Sequence, residues 1–193
     1  QRQGPGGTGI WRKLEWGRTL DVFVLDCRGE RRDGVYVSDE QLQWLKEGLA
    51  ASAARFKIVL NSVPIIDYTD LFGDNEADDR WQGYPDQRTE LLSHIESLGS
   101  GGVLWISGDF HFGQVARLSP AGAAGDSMYE VLAGPGGSFI NPLGDLIAES
   151  DQFLVALSAW NHVRFSCDPE LGTVLVEFIG DDGSVLREIL LEP

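Results

Sequence analysis

Three short apolar runs alternate with two segments of helical periodicity in the first half of this chain, and this alternation limits the folds open to it. The runs are Thr19–Leu25, Phe56–Leu60 and Val103–Ile106, and each is typical of a buried strand. Strands that alternate with helices in this way form parallel sheets joined by right-handed crossovers. The sequence therefore predicts an α/β fold built on a parallel sheet.

The two segments between these strands carry recognisable helix starts. Ser38 with Gln41 three residues later forms a capping box. Pro85 suits the first turn of the second helix, where Asp86 complements the helix dipole, and Gly99 is a typical end. The apolar residues at helical spacing are Leu42, Leu45, Leu49 and Ala53 in the first helix, and Leu91, Leu92, Ile95 and Leu98 in the second.

The last third of the chain has a different pattern, in which apolar and polar residues alternate. The alternating segments are Val163–Cys167, Thr173–Ile179 and Ser184–Leu191. Glycine-containing turns separate them, which is the pattern of an antiparallel meander. The predicted fold class is therefore α/β with an antiparallel portion at the end of the chain.

The charge balance restricts the partners. Thirty acidic against fifteen basic residues give a formal net charge of −15. Nucleic-acid binding needs a basic surface, so we expect none. Anionic membranes are disfavoured for the same reason, and no apolar run is long enough for a transmembrane segment. A small anionic substrate remains compatible if metal ions supply positive charge locally.

The 193 residues suit one domain. The glycine-rich opening has no initiator Met, so we expect residues 1–10 to be a flexible lead-in from an upstream segment, with the domain over residues 11–193. Cys27 and Cys167 form no metal or redox motif, and either two thiols or one long-range disulfide fits them.

Each predicted parallel strand is followed at once by residues that could bind a ligand. They are Asp26-Cys27-Arg28, Asn61-Ser62 and Asp109-Phe110-His111. In open α/β sheets, ligands bind in the crevice beyond the carboxyl ends of the strands. We expect a site there, with Arg28 and Asn61 as substrate-binding candidates. Ordinary polar loops would explain these two residues equally well.

Asp109 and His111 indicate a functional site more specifically than Arg28 and Asn61 do. Two such residues on a loop after a buried strand could both reach one cation, or one could bind it while the other bridges to a second cation, and Gly108 lets the backbone turn close to a ligand. A carboxylate with an imidazole suits iron, zinc or manganese, whereas calcium prefers oxygen ligands. The alternative is a structural histidine.

Two further residues carry two interpretations each. His162 could face the same crevice as a phosphate ligand or proton donor, or it could have a capping or core role. Trp81, in the long acidic loop between the second strand and second helix, could belong to a substrate lid or anchor the loop as a buried plug. The sequence contains no Gly-x-Ser-x-Gly elbow and no phosphate-binding loop ending in Lys-Ser/Thr.

Four short blocks follow one another along the chain. They are Val24–Arg28, Gln41–Ser52, Arg80–Pro85 with Arg88, and Ser107–His111. In this order they resemble the LDxR block, the EQxxWL helix, the W-x-GYP-x-x-R stretch and the SGDxH block of the PhoD-like (alkaline phosphatase D) family of metallophosphatases.

The resemblance implies a mixed β-sandwich core flanked by helices, as half of the αββα fold of calcineurin-like phosphoesterases. It implies hydrolysis of phosphate mono- or diesters by metal-bound hydroxide at a binuclear centre, usually of iron and calcium, with zinc or manganese as alternatives. Asp109 and His111 fall on metal-ligand positions of the family. Many members are exported.

The family's other ligand blocks lie upstream of the region that this sequence matches. The resemblance therefore implies that activity needs an N-terminal half, as a partner chain or as a segment of the same protein. The alternative is a non-catalytic fragment or binding module that retains the phosphoesterase fold.

Overall fold

The computed structural model describes residues 10–32, 34–73, 77–99 and 101–193. The expected lead-in lies outside these residues, apart from the exposed Ile10. The strands are β1 (Arg12–Trp16), β2 (Leu20–Val24), β3 (Phe56–Leu60), β4 (Val103–Ser107), β5 (Gly113–Arg117), β6 (Tyr129–Leu132), β7 (Phe153–Leu157), β8 (Asn161–Asp168), β9 (Thr173–Gly180) and β10 (Val185–Leu191). The α-helices are α1 (Cys27–Glu30), α2 (Asp39–Ala51), α3 (Thr69–Phe72) and α4 (Pro85–Ser97). Three 3₁₀ turns lie at Ala77–Asp79, Trp81–Gly83 and Pro142–Leu146.

The strands form two sheets. The larger has seven strands in the order β1-β2-β3-β4-β6-β5-β7, and the smaller has three in the order β10-β9-β8. β2, β3, β4 and β6 are parallel neighbours, which confirms the predicted parallel sheet. β1, β5 and β7 pair antiparallel, so the larger sheet is mixed. The antiparallel meander β8-β9-β10 is also confirmed.

The larger sheet is covered on both faces. On one face, Phe23, Val59 and Trp105 belong to an apolar cluster with the buried residues of α2 and α4. On the other, strand residues such as Phe56 and Leu104 form a second cluster with β9 of the smaller sheet. This arrangement is a mixed β-sandwich with helices on the outer face of one sheet, as expected.

The start of α2 corrects one detail of the predicted capping box. The Ser38 hydroxyl does accept the Gln41 amide N–H, at 3.2 Å. The Gln41 side chain does not return to Ser38, because Glu30 accepts the Ser38 N–H instead, at 2.9 Å. The fully buried Gln41 side chain is thereby available to hold the loop after β2.

Among the described residues, no helix has both the length and the apolar character needed to cross a membrane.

Candidate metal and phosphate site

The loop after β2 is shaped by hydrogen bonds from α2. Asp26 caps the short helix α1 by accepting the Gly29 N–H at 3.0 Å. Its own N–H donates to the Gln41 side-chain oxygen at 2.8 Å. Arg28, in this helix, therefore projects from a fixed turn at the carboxyl end of the parallel sheet.

Glu30 also holds the loop after β2 in place. Its carboxylate accepts hydrogen bonds from the Trp11 indole at 2.9 Å, the Ser38 hydroxyl at 2.7 Å and the Gln41 amide at 2.6 Å. Burial alone would raise the pKa of Glu30, but hydrogen bonds from Ser38, Gln41 and Trp11 hold it below its ordinary value. Glu30 is thus a charged structural link between α1, α2 and the start of the chain.

The loop after β4 has an unusual backbone. Asp109 and His111 have φ values of +79° and +58°, in the left-handed region that is uncommon for residues other than glycine, although Asp and His enter it more often than most. Such conformations cluster at functional sites, where surrounding contacts hold them. The backbone therefore singles out the same two residues that the sequence did.

Arg28 and Asp109 are in direct contact. The Arg28 Nη2 atom lies 2.7 Å from Asp109 Oδ1 and 3.2 Å from Asp79 Oδ2. Arg31 also pairs with Asp79. All four side chains remain partly exposed, so this network of two guanidinium groups and two carboxylates is accessible to a ligand.

His111 is less exposed than this network. Its imidazole meets the Phe139 ring edge-on, with 4.2 Å between ring centroids. Within the described structure, the His111 Nδ1 atom is buried and has no hydrogen-bond partner. Buried polar atoms in native proteins are normally hydrogen-bonded, so this nitrogen calls for an explanation.

The Asn61 side chain makes its hydrogen bonds within the protein. Its Oδ1 atom accepts hydrogen bonds from the Cys27 thiol at 3.0 Å and the Trp81 indole at 3.3 Å. Its amide group donates to the Val63 carbonyl. Both polar atoms of the side chain are therefore occupied by the fold, and substrate contact by Asn61 stays a prediction.

Trp81 is the buried plug rather than a lid. Its side chain is fully buried against Tyr36, at 4.5 Å between ring centroids, and against Trp105 at 6.5 Å. The loop that carries Trp81 also carries Asp79. The plug therefore fixes the loop that places Asp79 beside Arg28.

His162 lies near the start of β8, on the smaller sheet. It is exposed on β8 opposite Ile179 of β9, and its substrate contact also stays a prediction. The neighbouring Asn161 is buried and donates to the carbonyls of Gly134 and Ala159, at 2.8 Å each. Asn161 thus shapes the glycine-rich turn, a role that the sequence analysis did not assign to it.

The cysteines are both free thiols, so the disulfide alternative is wrong. Burial raises the pKa of Cys27 to about 12, with hydrogen bonding to Ser62 opposing that effect. Cys27 is therefore a buried residue of the apolar core that is protonated at neutral pH.

The described residues contain no group of three or more His, Cys, Asp or Glu side chains arranged to hold a metal ion. Asp109 and His111 supply two donors, one oxygen and one nitrogen. Metal binding by these two residues at this edge of the sheet stays a prediction.

Comparison with known proteins decides the family. The model of the PhoD-like phosphatase family matches residues 1–178. The chain belongs to this family. It is 29% identical to alkaline phosphatase D of Bacillus subtilis strain 168 over 131 residues, a match that covers 56% of this chain and 22% of that protein.

The fold agrees with this membership. A solved structure of PhoD superposes with a TM-score of 0.73 at 18% identity, covering 97% of this chain and 42% of the solved one. The chain therefore spans well under half the length of these two PhoD-like proteins.

Proposed function

We propose that this chain is the C-terminal part of a metal-dependent phosphatase that hydrolyses phosphate mono- or diesters, with Asp109 and His111 as two of its metal ligands. One observation carries the proposal. In a chain of the PhoD-like family, the strained Asp109–His111 turn lies at the carboxyl edge of the sheet in contact with Arg28. This is where open α/β sheets bind ligands.

The two side chains fit a metal. Asp109 offers a partly exposed carboxylate, and His111 offers a buried ring nitrogen that no described group binds. This mixed oxygen and nitrogen donor set suits iron, zinc or manganese, and a second, oxygen-rich position would suit calcium. When bound, such metals supply positive charge to the phosphate oxygens and activate water as the nucleophile.

Arg28 is the chain's own candidate for phosphate binding. Its guanidinium is at present shared between Asp79 and Asp109. A cation at Asp109 would compete with Arg28 for that carboxylate, which would leave the guanidinium available to an anionic ester. Guanidinium groups bind phosphate oxygens through paired hydrogen bonds, so Arg28 would orient the substrate at the metal site.

The remaining ligands must come from elsewhere. Two donors cannot hold two metals, and the matched region is 42% of the solved relative and 22% of the curated one. We propose that an N-terminal half, in the same polypeptide or as a partner chain, completes the binuclear centre. The substrate is then a small phosphate ester held between the two halves.

Metal titration of the 193-residue chain tests this proposal. We expect calorimetry to show Mn²⁺ binding that Asp109→Asn and His111→Gln each weaken at least tenfold. Asp168→Asn and His94→Gln, which alter the same residue types away from the site, should leave the affinity unchanged.

Activity separates the phosphatase from a binding module. Hydrolysis of bis(p-nitrophenyl) phosphate should appear when the chain is joined to the N-terminal half of a family member, and it should disappear in the Asp109→Asn variant. A joined protein that binds metal without hydrolysing mono- or diesters would instead indicate a non-catalytic module.

A further inference from the structure

The turn that carries the two proposed metal ligands needs outside support. Of the described residues other than glycine, Asp109 and His111 are the two with positive φ. The peptide planes on either side of His111 set its φ and ψ, and a flip of the one after Phe110 would release the positive φ of His111. Some other part of the fold must therefore fix these two peptide planes.

Asn141 holds both of them. Its backbone N–H donates to the His111 carbonyl at 2.9 Å, and its side-chain Nδ2 donates to the Phe110 carbonyl at 2.9 Å. Asn141 thus binds two consecutive carbonyls of a turn that lies about 30 residues before it in the sequence.

Asn141 is itself anchored. Its Oδ1 atom accepts the Leu143 N–H at 3.0 Å, and its carbonyl accepts the Ser158 hydroxyl at 2.7 Å. Ser158 and Asp145 are joined by two further hydrogen bonds, of 2.9 and 3.1 Å. The support therefore runs from the end of β7 through Asn141 to the turn.

Phe139, two residues before Asn141, lies against the imidazole. Its ring is edge-on to His111, and 70% of Phe139 is exposed. The contact joins the segment that carries Asn141 to the ring whose Nδ1 atom is buried without a partner among the described residues.

We propose that Asn141 is a positioning residue for the metal site, which holds the Phe110 and His111 carbonyls so that Asp109 and His111 face one cation. The assignment rests on the proposed function, because it takes these two residues as ligands. Residues that orient metal ligands without touching the metal commonly change metal affinity 10- to 100-fold when altered.

Two variants of the full chain test the assignment. Asn141→Asp keeps the shape, the backbone bond to His111 and the acceptor for Leu143, but it replaces the donor to Phe110 with an oxygen and adds a negative charge, which by itself would favour cation binding. Asn141→Ala removes the whole side chain. The matched control is Asp168→Ala, because Asp168 also stabilises a turn, accepting the N–H groups of Glu170 and Leu171 at 2.9 Å each, in the smaller sheet.

We expect both Asn141 variants to raise the Kd for Mn²⁺, measured by calorimetry, about 10- to 100-fold. Asp168→Ala should lower the melting temperature about as much as the Asn141 variants do, but it should leave the Kd for Mn²⁺ within a factor of two. Equal Mn²⁺ affinities in the wild type and in both Asn141 variants would overturn the assignment.

A metal-free measurement keeps the assignment separate from the proposed function. The backbone amide NMR shifts of Phe110, His111 and Phe112 should move in Asn141→Asp and not in Asp168→Ala. If the wild-type chain binds no Mn²⁺, Asp109 and His111 do not hold a cation without the N-terminal half, which concerns the proposed function and not the role of Asn141. Unmoved shifts would still reject Asn141 as the residue that fixes the turn.

Discussion

Glu130 is a fully buried carboxyl group in the middle of the larger sheet. Its oxygens accept the backbone N–H groups of Ile65 and Ile66, at 3.0 Å each. Arg88 binds the other side of the same segment, donating to the Ile65 carbonyl at 2.8 Å. The two charged residues therefore clamp the chain just after Asn61, where the loop leaves β3.

Burial raises the pKa of Glu130 from 4.5 to about 7, although hydrogen bonds from the backbone and the charge of Arg88 act to lower it. Between these two values the unfolded chain loses a proton that the native protein keeps, so the free energy of unfolding falls as the pH rises. We expect a loss on the order of 3 kcal/mol between pH 4.5 and 7, complete above pH 7.

Urea unfolding of the wild type and Glu130→Gln at pH 5 and pH 7.5 measures this effect. Glutamine does not ionise, so the variant should lose most of the difference between the two pH values. Glu188→Gln, which alters an exposed carboxylate of β10, should retain the wild-type difference. An unchanged pH dependence in Glu130→Gln would show that other groups cause it.

At the scale of elements, Gln41 joins α2 to the loop after β2. The side chain is fully buried, accepts the Asp26 N–H at 2.8 Å and donates to Glu30 at 2.6 Å. Removing it leaves buried polar groups without partners, which costs about 1–3 kcal/mol for each group. It would also loosen the turn that carries Arg28.

We expect Gln41→Ala to lower the free energy of unfolding by about 2–4 kcal/mol, measured by urea denaturation. The neighbouring Gln43 is the matched control, because it is exposed and, among the described residues, its side chain bonds Glu47 alone, at 2.8 Å. Gln43→Ala should change stability by less than about 0.5 kcal/mol. Equal losses in the two variants would contradict the linking role of Gln41.

The elements that the sequence predicted are those with strong periodicity. β2, β3 and β4 are nearly continuous apolar runs, and α2 and α4 carry apolar faces and cap signals. β5 and β6 were missed because Gly113–Arg117 and Tyr129–Leu132 are short and mix polar with apolar residues. They become strands because pairing between neighbours determines them.

The site residues also fall into those that the sequence indicated and those that it did not. Asp109 and His111 were recognisable because their residue types and position after a strand indicate metal binding. Asp79 and Asn141 were not, since Asp79 lies 51 residues from Arg28, and Asn141 lies 31 from Phe110, whose carbonyl it binds. Contacts at such separations depend on how loops pack, which local sequence patterns do not encode.

At the scale of the whole molecule, the charge of −15 determines how a phosphate can be held. The field of such a protein repels a dianion. The nearest guanidinium to the proposed ligands, Arg28, is already shared by Asp79 and Asp109. Phosphate binding should therefore depend on bound metal rather than on the protein's own cations.

We expect inorganic phosphate to raise the melting temperature only when metal is bound. A ligand present at ten times its Kd stabilises the native state by about 1.4 kcal/mol, which corresponds to about 3–6 °C for a domain of this size. Thermal unfolding with Mn²⁺, with and without phosphate, measures the shift, and sodium chloride at equal ionic strength controls for screening. The shift should vanish with chelator and in Asp109→Asn, whereas equal protection in chelator would show that phosphate binds to protein groups alone.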